Sequence, residues 1–461
     1  MKYILDLNRW QVMLLGAVSG VLLALAHPTL DWFPLAFVAL VPLFIIYFTQ
    51  GYGKVLLGTL FFAIFFFGIY LNWVTYFSWM AVPGILFLLL VLFYIPASLA
   101  ARFLSGRYPF LFSIIIPLVF TGMEYFRTIG FLRFPYGILG YSQYKFLPFI
   151  QIADITGVLG VSFVLYLVNA LLAEFAVVYF FAHNRKNFIN RTRDFFLNRF
   201  ALILGILIAL NAYGIYRLYF SKYEEGPVAK VSLVQNWFDF NQAWTEDTKQ
   251  QVFNDLTGYA RNVKKDKPDL VVWPETAILE PYEYYVAAAM PYSRQFQNFF
   301  GGYNLDGGQT HFLTGALAVR FVEGPKKESF FKRKNKSAKG QKTGAVTTER
   351  RIKEYNSALH LSPSGVVQDR YSKHFLVAFA EWFPYGDLFP WLDKLLKSLQ
   401  ASEFAPGETM TIFKHPKFKF STLICYEDCF AGICRDFVLG GSEVFFVLTN
   451  DAWSYSQKSQ T

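Results

Sequence analysis

The first 220 residues constrain the fold most, because they form a series of apolar runs, each long enough to cross about 30 Å of hydrocarbon and separated by short polar breaks. In lipid, backbone N–H and C=O groups must be satisfied within their own segment, so such runs are expected as transmembrane helices. Seven are expected, near residues 10–26, 32–49, 55–78, 83–104, 110–126, 158–182 and 200–220. The first has the length of a signal peptide, but no small-residue cleavage site follows it and six further runs do, so it is read as a retained span. Composition agrees: 54% of the 461 residues are hydrophobic, 20% aromatic and only 16% charged.

The formal net charge of +10 invites a nucleic-acid partner, but its distribution excludes one. The basic residues sit in short loops between apolar runs and in one late insertion, so no single cationic face is implied. Counted over alternate loops, Lys2, Arg9, Lys54, Arg102, Arg107, Arg185, Lys186, Arg191, Arg193 and Arg199 fall on one side, and Arg127, Arg133 and Lys145 on the other. This ten-to-three bias puts the amino terminus in the cytoplasm and, after an odd number of spans, everything from Ser221 onward outside it. A membrane domain is thus expected over residues 1–222. Residues 127–157 are too polar to span, and Phe131, Phe134, Tyr136, Tyr141, Tyr144 and Phe146 follow one another closely there. They read as an outward loop lying on the bilayer, either a wall of a lipid-accessible pocket or an interfacial anchor.

After Tyr223-Glu224-Glu225-Gly226-Pro227 the texture changes to short strands alternating with amphipathic helices, which is the pattern of an α/β domain over 223–461. Strands are expected at 229–235, 270–273, 311–320, 357–361, 418–424 and 444–448, and helices at 246–264 and 430–439. Residues 326–351, rich in Lys, Arg, Gly, Ser and Thr, are expected as a mobile insertion that either stays solvated or is drawn to anionic headgroups.

The only three cysteines, Cys425, Cys429 and Cys434, fall within ten residues, so no disulfide framework holds the fold and at most a Cys429–Cys434 bridge forms. No Cys-x-x-Cys pair is present and the nearest histidine is His415, so no metal site is expected. The apolar run 418–424 instead delivers Cys425 into a small cluster of carboxylates at Glu427 and Asp428. A cysteine nucleophile needs a base to take its proton and a cation to steady charge on a substrate oxygen. Glu275, just past the strand-like run 270–272 in Trp273-Pro274-Glu275-Thr276-Ala277, is the candidate base. Lys373, set among apolar neighbours in Tyr371-Ser372-Lys373-His374-Phe375-Leu376-Val377, is the candidate oxyanion partner. Alone, each is ordinary: a buried small side chain, a strand-ending turn, a lysine reaching for water. Together they form a set, each at the end of a different strand-like segment, as a triad assembled across a sheet requires.

These residues give the chain a resemblance to the bacterial apolipoprotein N-acyltransferases, membrane-anchored members of the carbon-nitrogen hydrolase (nitrilase) superfamily. The runs Trp273-Pro274-Glu275-Thr276-Ala277, Tyr355-Asn356-Ser357-Ala358, Tyr371-x-Lys373-x-x-Leu376-Val377, Cys425-Tyr426-Glu427 and Thr449-Asn450-Asp451-Ala452-Trp453 occur in family order. The resemblance implies a multi-pass α-helical membrane domain followed by an extracytoplasmic α/β nitrilase-like domain, an α-β-β-α sandwich, in a monomer of the bacterial inner membrane. It implies Glu275 as general base, Lys373 as oxyanion stabiliser and Cys425 as nucleophile, supported by Glu381, Tyr426 and Glu427, with Trp244 and Trp453 on loops around the pocket. It further implies acyl transfer through a Cys425 thioester, from a membrane phospholipid donor to the α-amine of a diacylglyceryl-modified apolipoprotein, with no cofactor. Lipid-embedded substrates suit a membrane enzyme, since extraction into water costs roughly 0.8 kcal/mol per buried CH₂.

Two departures from the family pattern stand out. Ala378 and Ala380 occupy positions usually held by Pro and Gly, so that loop is expected to bend differently. The family also continues past the Asn-Asp-x-Trp motif with further strands, helices and a final span, so the sandwich is expected to be incomplete at its carboxy-terminal end, as in a truncated copy. A membrane-tethered amidase using water as acceptor and a non-catalytic copy are the competing readings. Acylated peptide rather than free fatty acid separates the first, and a protease-resistant outer domain argues against the second. A transporter is disfavoured, since the spans carry few charges beyond Glu124 and Glu174.

Overall fold

The computed structural model describes residues 5–28, 30–76, 79, 81–130, 132–181, 185–221, 226, 228–235, 245–278, 280–282, 291–325, 348–382 and 404–450. The chain divides into two compact units, Met1–Glu224 and Glu225–Trp453.

The first unit is helical: α1 (Arg9–Ala26), α2 (Val41–Thr49), α3 (Tyr52–Tyr70), α4 (Ala81–Leu89), α5 (Ile95–Arg107), α6 (Phe112–Thr128), α7 (Leu147–Ile150), α8 (Ala153–Phe181) and α9 (Arg185–Tyr219). A π-turn over Leu90–Tyr94, ahead of Pro96, fuses α4 and α5 into one rod. Among the described residues six helices are long and apolar enough to cross a membrane: α1, α3, α4–α5, α6, α8 and Leu197–Tyr219 of α9. Helices α1 and α3 approach closely. A Cβ on Gly16 would lie 2.4 Å from the Gly58 carbonyl oxygen, and one on Gly20 would lie 2.5 Å from that of Phe62. Small residues four apart thus let the two backbones touch where apolar burial gives lipid-embedded helices no preference for each other.

The seventh expected span, 32–49, is not one continuous helix. Pro34 and Pro42 remove donors and each starts a new piece, so a 3₁₀ turn over Phe33–Phe37 is followed by the nine residues of α2. The backbone freed at the break finds Asn169 of α8, which accepts from the Leu40 N–H (2.9 Å) and donates to the Ala36 carbonyl (2.8 Å). Both ends are tied to α1. The Trp32 N–H donates to Leu25 O (3.1 Å) near the carboxy end of α1, and the Gln50 side chain donates to Leu5 O (3.0 Å) just before its amino end. The segment therefore returns along the full length of α1 in two pieces.

Residues 127–157 depart from the expected surface loop. Ile138, Leu139, Gly140, Ser142 and Gln143 are buried, while Phe134, Tyr136 and Phe146 pack against the helical core. Partners inside the bundle make this possible: Glu124 accepts from the Leu139 N–H (2.8 Å), Ser162 Oγ from the Gly140 N–H (2.8 Å), and Gln143 donates to Phe33 O (2.9 Å). The Arg127 guanidinium reaches Tyr94 OH (3.2 Å) and the Tyr136 carbonyl. Phe131 lies outside the described residues.

The second unit has two sheets. In the first, β1 (Val231–Leu233), β2 (Leu270–Val272) and β3 (His311–Pro325) are parallel, and β4 (Thr348–Leu361) and β5 (Val367–Ser372) continue antiparallel, in the order β1-β2-β3-β4-β5. In the second, β6 (Phe413–Lys414), β7 (Lys419–Ile424) and β8 (Val444–Leu448) lie in that order. Helices α10 (Glu246–Val263) and α11 (Pro291–Tyr303) cover the first sheet through a core of Val252, Leu256, Trp273, Phe296, Phe300 and Phe312. Helix α12 (Ala431–Leu439) covers the second through Phe437, which meets the rings of Phe445 and Tyr371. The sheets meet face to face at His360 against Phe420 and His311 against His415. This is the expected α-β-β-α layering. One boundary is corrected: β3 and β4 pair as far as Pro325 and Thr348, so the last four residues of the expected insertion, Thr348 to Arg351, belong to a strand. The rest of that insertion, 326–347, lies outside the described residues.

Candidate active site

Three loops converge at the ends of strands, and each carries a non-glycine residue in the left-handed region: Thr276 (φ 52°), Phe379 (φ 67°) and Cys425 (φ 55°). Such backbone costs of order 1–3 kcal/mol per residue, most for a β-branched side chain such as Thr276, and is kept where surrounding structure dictates it. The Glu275 turn follows β2 and lies against Gly315 of β3, where a Cβ would sit 2.4 Å from Pro274 O and 2.6 Å from the Glu275 Cα. Only glycine allows that contact. Cys425 stands at the end of β7, the strand expected over 418–424, and opens a 3₁₀ turn there.

The charged side chains meet in one buried cluster. Lys373 is 1% exposed; its Nζ lies 2.9 Å from Glu381 Oε1 and 3.8 Å from Glu275 Oε1. Burial opposes the Lys373 charge, but Cys425, Glu381 and Glu275 together raise its pKa well above the ordinary lysine range. A thiolate at Cys425 would thus join the two carboxylates as negative charge facing Lys373. Burial pushes the Glu275 carboxyl above the usual range, against the pull of Lys373, and Glu381 pushes the same way. Glu381 is itself fixed by the Val377 N–H, which donates to its Oε2 (2.9 Å) across the turn containing Phe379. The Ala378–Ala380 stretch therefore still closes tightly.

Glu427 has a different setting. It is fully buried and accepts from four groups: the N–H of Ile424 (2.9 Å), of His374 (2.7 Å) and of Phe375 (3.0 Å), and Tyr371 OH (3.0 Å). It thereby ties the loop after Lys373 to the turn that holds Cys425. Tyr426 adds a second tie, donating its hydroxyl to Leu376 O (3.0 Å) with its ring 5.6 Å from the Lys373 ammonium.

No disulfide joins the three cysteines. Burial, reinforced by Asp428, pushes the Cys429 and Cys434 thiols up, which leaves Cys425 as the cysteine whose thiolate would face a cation. The expected residues Glu275, Lys373, Glu381, Cys425, Tyr426 and Glu427 are brought together; Trp244 and Trp453 lie outside the described residues. Sequence reasoning gave no role to Asn356, whose amide donates to Glu275 Oε1 (2.8 Å), or to the backbone N–H of Asn450, which donates to Glu275 Oε2 (3.2 Å). Both stand in the motif runs, but nothing in a linear run shows a donor aimed at a carboxylate 81 or 175 residues away.

Comparison with known proteins bears on both units. The family model for the apolipoprotein N-acyltransferase N-terminal domain matches residues 19–171, and that for carbon-nitrogen hydrolase matches residues 333–461. The chain is similar to the apolipoprotein N-acyltransferase of Geobacter metallireducens, 31% identical over 95% of this chain and 77% of that one. It is also similar to apolipoprotein N-acyltransferase 1 of Treponema denticola, 30% identical over 97% of this chain and 80% of that one. Among solved structures, an amidase from Nesterenkonia sp. AN1 aligns over 48% of this chain and 67% of its own, at 14% identity and a TM-score of 0.29, a likeness too slight to carry weight.

Proposed function

The chain belongs to the apolipoprotein N-acyltransferase family, and from that premise we propose that it moves an acyl chain from a membrane phospholipid, through a thioester on Cys425, to the α-amine of a lipoprotein's diacylglyceryl-cysteine. The observation that carries the residue assignment is the buried cluster in which Lys373 contacts Glu275 and Glu381 and lies 5.6 Å from the ring of Tyr426, the residue next to Cys425.

In the first half-reaction Glu275 takes the Cys425 proton as sulfur attacks the ester carbonyl, and the Lys373 ammonium faces the oxyanion that forms. As the C–O bond breaks, Glu275 returns the proton to the leaving oxygen and lysophospholipid departs. In the second, the amine attacks the thioester carbon, a C–N bond replaces the C–S bond, and the amine proton passes by way of Glu275 to the thiolate. Glu381 holds Lys373, while Glu427 and Tyr426 hold the nucleophile's turn against the lysine loop. Trp244 and Trp453 are proposed as loop aromatics that contact acyl substrate, in a monomer that needs no cofactor.

The chain is a multi-pass membrane protein. We place it in the bacterial inner membrane with the second unit on the periplasmic side. The ten-to-three loop bias supports this, as does the return of residues 32–50 along α1, which makes seven crossings of the six long helices and one broken segment.

The test is intact-mass analysis of purified protein incubated with phospholipid. A hydroxylamine-sensitive acyl adduct is expected on the wild type and not on Cys425→Ala, and chasing it with a diacylglyceryl peptide is expected to yield the N-acylated peptide. Folded wild-type protein that never takes up the adduct would overturn the assignment.

A further inference from the structure

Asn356 is 3% exposed and lies in β4, next to the strand that carries the lysine loop. Its backbone carbonyl accepts from the Lys373 N–H (2.8 Å), so its position and that of Lys373 are fixed together. Its side-chain Nδ2 lies 2.8 Å from Glu275 Oε1 and 3.4 Å from Glu381 Oε1. The same two carboxylate oxygens face Lys373 Nζ at 3.8 Å and 2.9 Å. The four groups close a ring in which donors and acceptors alternate. Chemistry fixes the orientation of the amide, since turning it over would set its oxygen against two carboxylates. Its Oδ1 is buried and has no hydrogen-bond partner among the described residues. A polar atom left in that state is a defect for stability alone and marks a group retained for what its other end does.

We propose that Asn356 is the positioning residue of this site: it supplies the neutral donor that holds Glu275 and Glu381 side by side and keeps Glu275 available as a base. This rests on the reading of Glu275 as the proton acceptor. Two carboxylates and one lysine leave the cluster with an excess negative charge, and a Cys425 thiolate adds another. A second cation in place of Asn356 would compete with Lys373 for the carboxylates, and a carboxyl would repel them. A carboxamide stabilises their charge without binding or releasing a proton.

The experiment reads the pH dependence of Cys425 acylation by phospholipid, followed by intact mass, in wild type, Asn356→Asp and Asn356→Ala. Asn356→Asp keeps the shape and sets a third carboxylate against Glu275, so the acidic limb of the rate profile is expected to move up by ~1 pH unit or more. Asn356→Ala removes the donor without adding charge and is expected to move the limb the same way by less. A residue that only packs would change the melting midpoint and the yield of folded enzyme and leave the limb in place. That outcome, or loss of the fold in both variants, would overturn the proposal. The underlying assignment fails separately: Glu275→Gln that acylates as fast as wild type, with the same limb, removes Glu275 as the base whatever Asn356 does.

Discussion

Two carboxylates stand in reach of the Cys425 turn, almost equally hidden from water, Glu427 at 0% and Glu275 at 7% exposed, yet their surroundings could hardly differ more. Glu427 takes three backbone N–H groups and one tyrosine hydroxyl, spread over both oxygens. Glu275 takes one backbone N–H and otherwise faces side chains, the Asn356 amide and the Lys373 ammonium. Backbone donors move only if the fold moves, so Glu427 is a knot between two loops. Side-chain donors belong to other functional groups, so the charge on Glu275 is shared with the chemistry. Burial raises the pKa of both carboxyls and does not tell them apart; the kind of donor does.

One substitution made at both positions is the strongest way to break this comparison. Glu275→Gln is expected to slow Cys425 acylation by about 10²- to 10⁴-fold, the range for loss of a general base, while moving the unfolding free energy by only about 1 kcal/mol. Glu427→Gln turns a donor toward donors and leaves at least one buried N–H unpaired, so the second unit is expected to lose about 2–4 kcal/mol in chemical denaturation. The acylation rate per folded molecule should fall less than in Glu275→Gln. If Glu427→Gln unfolds at the wild-type midpoint and acylates at the Glu275→Gln rate, the division into knot and base is wrong.

Much of the site was legible because its chemistry sits at strand ends, where a short apolar run stops at a residue that apolar packing does not explain. Glu275 after β2 and Cys425 after β7 are of this kind. Asn356 was not, since it lies inside β4 and its partner is 81 residues away. In the membrane unit the helices were legible as apolar runs, but their irregularities were not. Pro34 and Pro42 mark the break in the second span, yet its repair by Asn169 joins segments 129 and 133 residues apart. The aromatic run between Arg127 and Gly157 reads as a loop lying on the bilayer because rings favour the interface. Glu124, Ser162 and Phe33 draw it inward by satisfying its polar groups at depth. Gly16 and Gly20 make a close helix contact that the apolar run around them does not announce.

A third buried group of titratable side chains tests the same lesson with smaller energies. His311 and His360 share a hydrogen bond (Nδ1 to Nε2, 3.0 Å) where the two sheets meet, with His415 against the ring of His311. Among the described residues no carboxylate accepts from the rings of His311 or His360; the Asp269 backbone carbonyl accepts from the His311 N–H (2.9 Å), and its carboxylate pairs with Lys417 (2.8 Å). Burial lowers His360 to about 3, helped by His311 and His415, and lowers His311 to about 4, helped by His415 and opposed by Asp269. The unfolded chain therefore binds protons near pH 6.5 that the folded chain refuses, so stability present above that pH is lost as pH falls toward 4. Glu275 and Glu427 work in the opposite direction, because carboxyls raised by burial favour the folded state on acidification. The total slope is thus not diagnostic, whereas the difference between wild type and His360→Gln is. Gln keeps a polar group for His311 and takes up no proton, so at pH 5 the variant is expected to recover ~1–2 kcal/mol relative to its own deficit at pH 7.5. Denaturation curves at the two pH values measure this, and parallel losses would mean that the histidines between the sheets do not govern acid stability.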